Sequence, residues 1–242
     1  MFITYNAFSE CLSIKTISIP NFVIKNFKNV FSVFKNVTDI TLLDSVKSIP
    51  ENTFSGCSSL RNITIPNSVT EICENAFSEC LSLRNITIPN SVTKIGPNVF
   101  SECSSLRNIT IPNSVTEIGE NAFSECLSLK KITILNSVTK IGADAFSGCS
   151  SLLSIIIPNS VTEIYDRAFS QCSSLINVII PSSVKKIGKN AFSECLSLKK
   201  LTIPNINIDI DENAIPDNCQ LIILSKFKDL ISYFIDRTNL KL

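Results

Sequence analysis

A phenylalanine returns every 23 residues along most of this chain: Phe8, Phe31, Phe54, Phe77, Phe100, Phe123, Phe146, Phe169 and Phe192, with Ile215 at the tenth place. A repeat of this length is the signature of a solenoid, in which each unit is one coil stacked on the next. One unit offers about seven apolar side chains, worth roughly 1.5–3 kcal/mol each when fully buried. Ordering its backbone costs roughly 1–2 kcal/mol per residue. A lone unit therefore stays unfolded, and only stacked units, sharing faces and backbone hydrogen bonds, become stable.

Within a unit, Ile86-Thr87-Ile88-Pro89 alternates inward Ile with outward Thr, as a half-buried strand does. The proline recurs at Pro20, Pro66, Pro89, Pro112, Pro158, Pro181 and Pro204, where it ends the ladder because it has no N–H to donate. "SVTKIG" (91–96) reads as a second extended segment, with a glycine (Gly96, Gly119, Gly142, Gly188) expected at positive φ in the corner. "NAFSEC" reads as a short helical or 3₁₀ turn that drives Phe and Cys inward. The expected fold is a repeat solenoid, mostly β, with parallel strands ~4.8 Å apart on one face and right-handed connections.

Units such as "LRNITIPNSVTEIGENAFSEC" (106–126) resemble the BspA-like subclass of leucine-rich repeats, because "AF..C" and "IP.SVT.IG" recur together at one spacing over roughly residues 6–213. The unit at 29–51 departs most from the pattern. The resemblance implies a curved right-handed leucine-rich-repeat superhelix of the kind found in surface-exposed adhesion or antigen proteins of mucosal bacteria and protists. It implies neither an enzyme nor a cofactor.

The organisation expected is an array of about nine units over 1–213 and a cap over 214–242 within the same domain. In the cap, "LIILSKFKDLISYFIDR" (221–237) reads as a last strand and an amphipathic helix, with Ser225 as N-cap and Phe227, Leu230, Ile231 and Phe234 on one face. No apolar run approaches a membrane span. The opening "MFITYNAFSEC" shows no basic region followed by an apolar stretch, so no signal peptide is legible.

The chemistry of this chain is constrained by what it lacks. It has no histidine, which removes His-dependent nucleophilic sites, general bases and metal ligands. Its six glycines form no phosphate-binding loop. Acidic residues repeat in columns rather than gather at one cleft. The reading is no enzyme, no metal and no cofactor. With 22 basic and 21 acidic residues, no overall field points to nucleic acid or an anionic membrane.

Eight of the ten cysteines (Cys11, Cys57, Cys80, Cys103, Cys126, Cys149, Cys172, Cys195) keep the period, and Phe34 fills the vacant place. A position that accepts phenylalanine is an apolar core position. Equivalent residues of stacked coils point in parallel, whereas a disulfide needs converging Cβ vectors. Cys73 stands in the corner-glycine column and Cys219 outside the pattern. A further column alternates in sign, Glu71, Lys94, Glu117, Lys140, Glu163, Lys186 and Asp209, and reads as coil-to-coil charge pairing.

Departures from the repeat concentrate on the strand side. One column reads Lys15, Thr38, Arg61, Arg84, Arg107, Lys130, Leu153, Ile176, Lys199; the outward Thr column becomes Ile156 and Ile179 in the same two coils. A basic strip of Arg61, Arg84, Arg107 and Lys130, with Lys131 beside it, thus abuts an apolar patch of Leu153, Ile156, Ile176 and Ile179. Contiguous exposed apolar groups mark contact surfaces; drift in a duplicated array is the competing reading. Asn36, Asn62, Asn85 and Asn108 begin N-x-T sequons on or beside this face.

The functional expectation is a non-catalytic recognition or adhesion module. It takes a protein or peptide partner in preference to a glycan, with apolar anchors and basic steering. An intracellular scaffold or spacer without a discrete patch is the alternative. The resemblance points to a cell surface or secretion, while the unpaired cysteines and missing signal point to the cytoplasm. The oligomeric state is left open.

Overall fold

The structure, a computed structural model, describes residues 14–26, 36–204 and 207–224. Three rows of backbone hydrogen bonds run from coil to coil. In the first row, strands Thr16–Ile19, Asp39–Leu42, Asn62–Thr64, Asn85–Ile86, Asn108–Ile111 and Lys131–Ile134 form one parallel sheet. Register follows the repeat: Thr16 lies opposite Asp39, Ile40 opposite Ile63, and Lys131 opposite Asn108. A separate three-stranded sheet, Asn177–Ile179, Lys200–Ile203 and Gln220–Ile223, continues the row beyond. Its last coil is shortened, since Lys200 pairs with Gln220.

The second row consists of two-residue strands: Ser48–Ile49, Glu71–Ile72, Lys94–Ile95, Glu117–Ile118, Lys140–Ile141, Glu163–Ile164, Lys186–Ile187 and Asp209–Ile210, paired as one uninterrupted parallel sheet. Only the isoleucine of each turns inward, so two residues suffice. In the first described coil an α-helix, Asn21–Asn26, stands where this row would begin; the Pro20 carbonyl accepts from the Val23 and Ile24 amides, and Ile24 is buried.

The third row is the "NAFSEC" turn, which is not the helix or 3₁₀ turn expected. Asn75 and Glu79 adopt φ of 55° and 59°, and every described coil repeats at least one such left-handed residue. These break any helical run. Alternate amides turn outward along the array instead: Asn75, Phe77 and Glu79 donate to the carbonyls of Pro97, Val99 and Ser101 at 3.0, 2.9 and 2.8 Å. The same three bonds recur, always toward the following coil. They replace the intrahelical bonds that a buried backbone would otherwise lack.

The corner glycines also act differently from expectation. Gly96, Gly119, Gly142 and Gly188 do not have positive φ. A Cβ on Gly119 would lie 2.7 Å from the Gly96 carbonyl oxygen. The glycine is therefore required by the close approach of one coil to the next, not by its own dihedrals.

The core is a column. Phe54, Phe77, Phe100, Phe123, Phe146, Phe169 and Phe192 are fully buried and stack with ring centroids 5.2–5.5 Å apart. Beside them run Cys57, Cys80, Cys103, Cys126, Cys149, Cys172 and Cys195, all buried free thiols. From Cys80 onward each thiol donates to the carbonyl of the phenylalanine one coil back, as Cys80 Sγ does to Phe54 O at 3.2 Å. Burial pushes the Cys57 thiol up to about 12 and raises those of Cys80, Cys103, Cys126 and Cys149 too. The thiol supplies what alanine could not, a weak donor in an apolar slot.

Phe8, Cys11, Phe31, Phe34 and the expected C-terminal helix with Ser225, Phe227, Leu230, Ile231 and Phe234 lie outside the described residues. No helix among the described residues is long and apolar enough to cross a membrane.

Candidate binding surface

The strand row presents its outward side chains as parallel columns one coil apart. Arg61, Arg84, Arg107, Lys130 and Lys131 are all exposed, and between them stand Asn62, Asn85, Asn108, Thr64, Thr87 and Thr110. No carboxylate occupies these positions from Arg61 to Lys131. One stands just before them: Asp39. Its carboxyl is held below the usual range by the Thr38 hydroxyl donating at 2.6 Å, by the Asn62 amide at 2.8 Å, and by the Arg61 charge.

Acidic residues lie on the other two rows: Glu71 and Glu117 in the second, Glu79, Glu102 and Glu125 in the turns. The balanced total charge thus hides a segregation, and the strand side carries a local positive field that the composition does not reveal. Of the second-row charge column one neighbouring pair closes as an ion pair, Lys94 to Glu71 at 3.3 Å. At its far end Lys186 departs, reaching Asp211 at 3.2 Å although its backbone pairs with Asp209.

The apolar patch coincides with a break in the strand ladder. Lys131–Ile134 is the last strand of the first sheet, and the next coil contributes only a single bridge, Ser154 to Asn177. The other two rows stay closed at this level: Lys140–Ile141 pairs with Glu163–Ile164, and Phe146 N–H donates to Ala168 O at 2.8 Å. One side of the stack opens while two remain shut.

At this opening Ile156 is 80% exposed and Leu153 51% exposed, with Ile176 at 41% and Ile179 half-buried. A shallow depression of about 280 Å³ runs between Ile156, Ile179, Asn159, Asn177 and Pro181. A larger groove of about 820 Å³ crosses the basic part of the face, lined by Asn85, Thr87, Asn108, Thr110, Lys131 and Thr133. The Asn and Thr rows give it donors and acceptors, with Lys131 as its one cation. Asn62, Asn85 and Asn108 of the sequons are exposed on this face.

A second set of exposed apolar residues went unassigned in the sequence. Leu81, Leu127 and Leu196, each following a column cysteine, are exposed on the turn side, Leu196 by 68%. The signal was present in the Leu/Ser variation after cysteine, "CLS" in some coils and "CSS" in others. Cys73 and Cys219 are half-buried.

A stack of parallel three-row coils around a phenylalanine–cysteine column places the chain in the leucine-rich-repeat class. The family model for the BspA type leucine rich repeat region (6 copies) matches residues 1–107, 24–152 and 95–223. The chain belongs to that family. No curated protein matches it. Among solved structures, a leucine rich cell surface protein from Faecalibacterium prausnitzii is similar at 27% identity and a TM-score of 0.51, with 83% of this chain and 76% of that one covered. The pneumococcal vaccine antigen PcpA shares the fold at 22% identity and a TM-score of 0.50, covering 91% of this chain and 68% of its own.

Proposed function

We propose that the chain is a non-catalytic recognition solenoid that binds a protein or peptide partner through its strand side. Leu153, Ile156, Ile176 and Ile179 anchor the partner, and Arg61, Arg84, Arg107, Lys130 and Lys131 attract its acidic groups. One observation carries this: the most exposed isoleucine among the described residues sits where the strand ladder is interrupted, beside a strip of cations with no carboxylate among them. Drift alone would change side chains without opening the backbone at the same coil.

Catalysis finds no support, since no histidine is present and the carboxylates repeat along rows. A surface setting is supported by the description of the Faecalibacterium relative as a cell surface protein. The free cysteines do not oppose it. The column thiols are buried, those of Cys57, Cys80, Cys103, Cys126 and Cys149 with raised pKa, and a thiol kept protonated and out of water resists oxidation.

The test is a double variant, Leu153→Asp with Ile176→Asp, probed on an array of peptides graded in acidic and aliphatic content. The expected result is loss of the acidic–aliphatic signals with an unchanged circular dichroism spectrum and thiol count. Equal binding by the variant removes the patch from the account.

A further inference from the structure

Two columns flank one corner of every coil. On the turn side stand Glu79, Glu102, Glu125, Gly148, Gln171 and Glu194; five residues onward the strand side begins with Arg84, Arg107, Lys130, Leu153, Ile176 and Lys199. Through these six coils the two columns change together, whereas in the coil before them the uncharged Gly56 stands beside Arg61. Acid accompanies base in the coils of Glu79, Glu102, Glu125 and Glu194, and the two coils between carry no charge in either column. None of the eight charged side chains joins the ion pairs formed inside the chain's described residues, which are Lys94–Glu71, Arg167–Asp144, Lys186–Asp211 and Lys189–Glu212.

The glutamates also occupy an expensive conformation. Glu79, Glu102, Glu125 and Glu194 have φ of 57–60°, as does the uncharged Gln171 at 60°, while Gly56 and Gly148 hold the same position at 72–73°. Any residue with a Cβ is strained there, and glycine is not. Four carboxylates are kept where glycine fits without cost, and no ion pair among the described residues uses their charge. Strain of this kind is retained where a side chain has work to do.

Shape follows charge. In the two uncharged coils Leu153 and Ile176 project from the strand side of the corner. At the same level the turn side sinks into a depression of about 420 Å³, lined by Gly148, Ser150, Gln171 and Ser173 between the exposed Leu127 and Leu196, with Glu125 and Glu194 in its wall. A Cβ on Gly148 would lie 2.5 Å from Glu125 Oε1, so the Glu125 carboxylate rests over this glycine in the wall of the depression.

We infer that this corner docks a second copy of the chain, parallel and in register, about a two-fold axis running along the solenoid. The rise per coil is identical in the two copies, so a match at one level is a match at all. Glu79 of one copy meets Arg84 of the other, Glu102 meets Arg107, Glu125 meets Lys130 and Glu194 meets Lys199. Leu153 and Ile176 of each enter the Gly148–Ser173 depression of its mate. The two-fold makes every contact reciprocal, as a closed dimer requires. An antiparallel pairing would set the uncharged coils against charged ones. This deepens the strand-side reading, on which it rests, by naming the protein partner as a second copy.

Sedimentation velocity of the full chain tests it. The wild type should dimerise at low salt and dissociate as salt screens the eight charges. The variants Arg84→Glu/Arg107→Glu/Lys130→Glu and Glu79→Lys/Glu102→Lys/Glu125→Lys should each weaken the dimer by at least ~100-fold. Combining all six reversals should restore it, because complementarity returns with the signs exchanged. Ser104→Cys should form a disulfide-linked dimer on mild oxidation, since each level faces itself. A wild type monomeric at millimolar concentration and low salt overturns the inference, as does a folded six-fold variant that does not regain the dimer. If the wild type is monomeric while Leu153→Asp/Ile176→Asp still abolishes peptide binding, only the self-docking falls; if the patch variant binds peptides normally, the wider reading falls with it.

Discussion

Cys103 Sγ donates to the carbonyl oxygen of Phe77 across 3.2 Å, from one coil into the one before it. That bond joins the two columns of the core, the stacked rings and the thiols, and it repeats up the array. The carbonyl already accepts the Cys80 amide of its own coil at 3.2 Å, so the thiol is a second donor to a buried oxygen. Cysteine here is a core residue with a weak hydrogen bond.

Cys103→Ala should therefore destabilise the array by about 1–2 kcal/mol, the sum of a small cavity and a lost weak donor. Cys103→Leu should be worse, since the slot between stacked rings has no room for two more methyl groups. Urea titration followed by circular dichroism reads both. Equal stability of wild type and alanine variant would show that the thiol contributes nothing beyond its Cβ.

The same column sets an alkaline limit. The folded thiols of Cys57, Cys80, Cys103, Cys126 and Cys149 hold their protons more tightly than the unfolded ones, with Cys57 at about 12 against an ordinary 9.0. A raised folded pKa contributes stability that is intact below the unfolded value and is lost as pH rises toward the folded one. Each buried thiol should thus remove about 1.4 kcal/mol per pH unit once the pH exceeds the unfolded pKa. Melting temperatures measured from pH 7 to 11 should stay level and then fall steeply above pH about 9. Replacing three column cysteines by alanine should flatten that fall; an identical slope would contradict the assignment.

Gly119→Ala should cost stability although its φ is ordinary for any residue. The new methyl would meet the Gly96 carbonyl carbon and oxygen at 2.8 and 2.7 Å, and both are backbone atoms. Forcing the coils apart should cost about 1–3 kcal/mol. Gly56→Ala, with open space around it but φ of 72°, should lose stability through strain alone. Crystal structures of the two variants separate the causes: a widened coil spacing in the first, an unchanged spacing in the second.

Phe123→Ala, at the middle of the ring column, should destabilise by about 3–5 kcal/mol. Because each coil touches only its neighbours, it should also uncouple the array and give two unfolding steps in place of one. A single sharp transition with a small loss would mean that the column is not what couples the coils.

The architecture was legible because every structural necessity is written many times. Phe77 and Phe100 stack because the period puts them at one place in the coil, and the Ile86-Thr87-Ile88 alternation states which face is inward. What repetition cannot show is contact between coils. The need for Gly119 arises from Gly96, 23 residues away, and a local reading assigned it to a dihedral instead. The left-handed turn was half visible, since Asn75 is a residue that tolerates such a conformation and Glu79 is not. For the candidate site, Leu153 and Ile156 stood out as departures from their columns. The open ladder beneath them could not, because it is a relation between backbones. The balanced composition likewise concealed a basic face, as charge totals carry no position.

Amide hydrogen exchange resolved to single residues tests the central claim most directly, that the stack opens on its strand side at one coil while its other rows stay closed. Amides of residues 154–156 should exchange much faster than those of Ile109 and Ile132 in the intact sheet, whereas Ile164 and Phe146 should stay protected. Uniform protection along the strand row from Ile109 to Val178 would contradict the account.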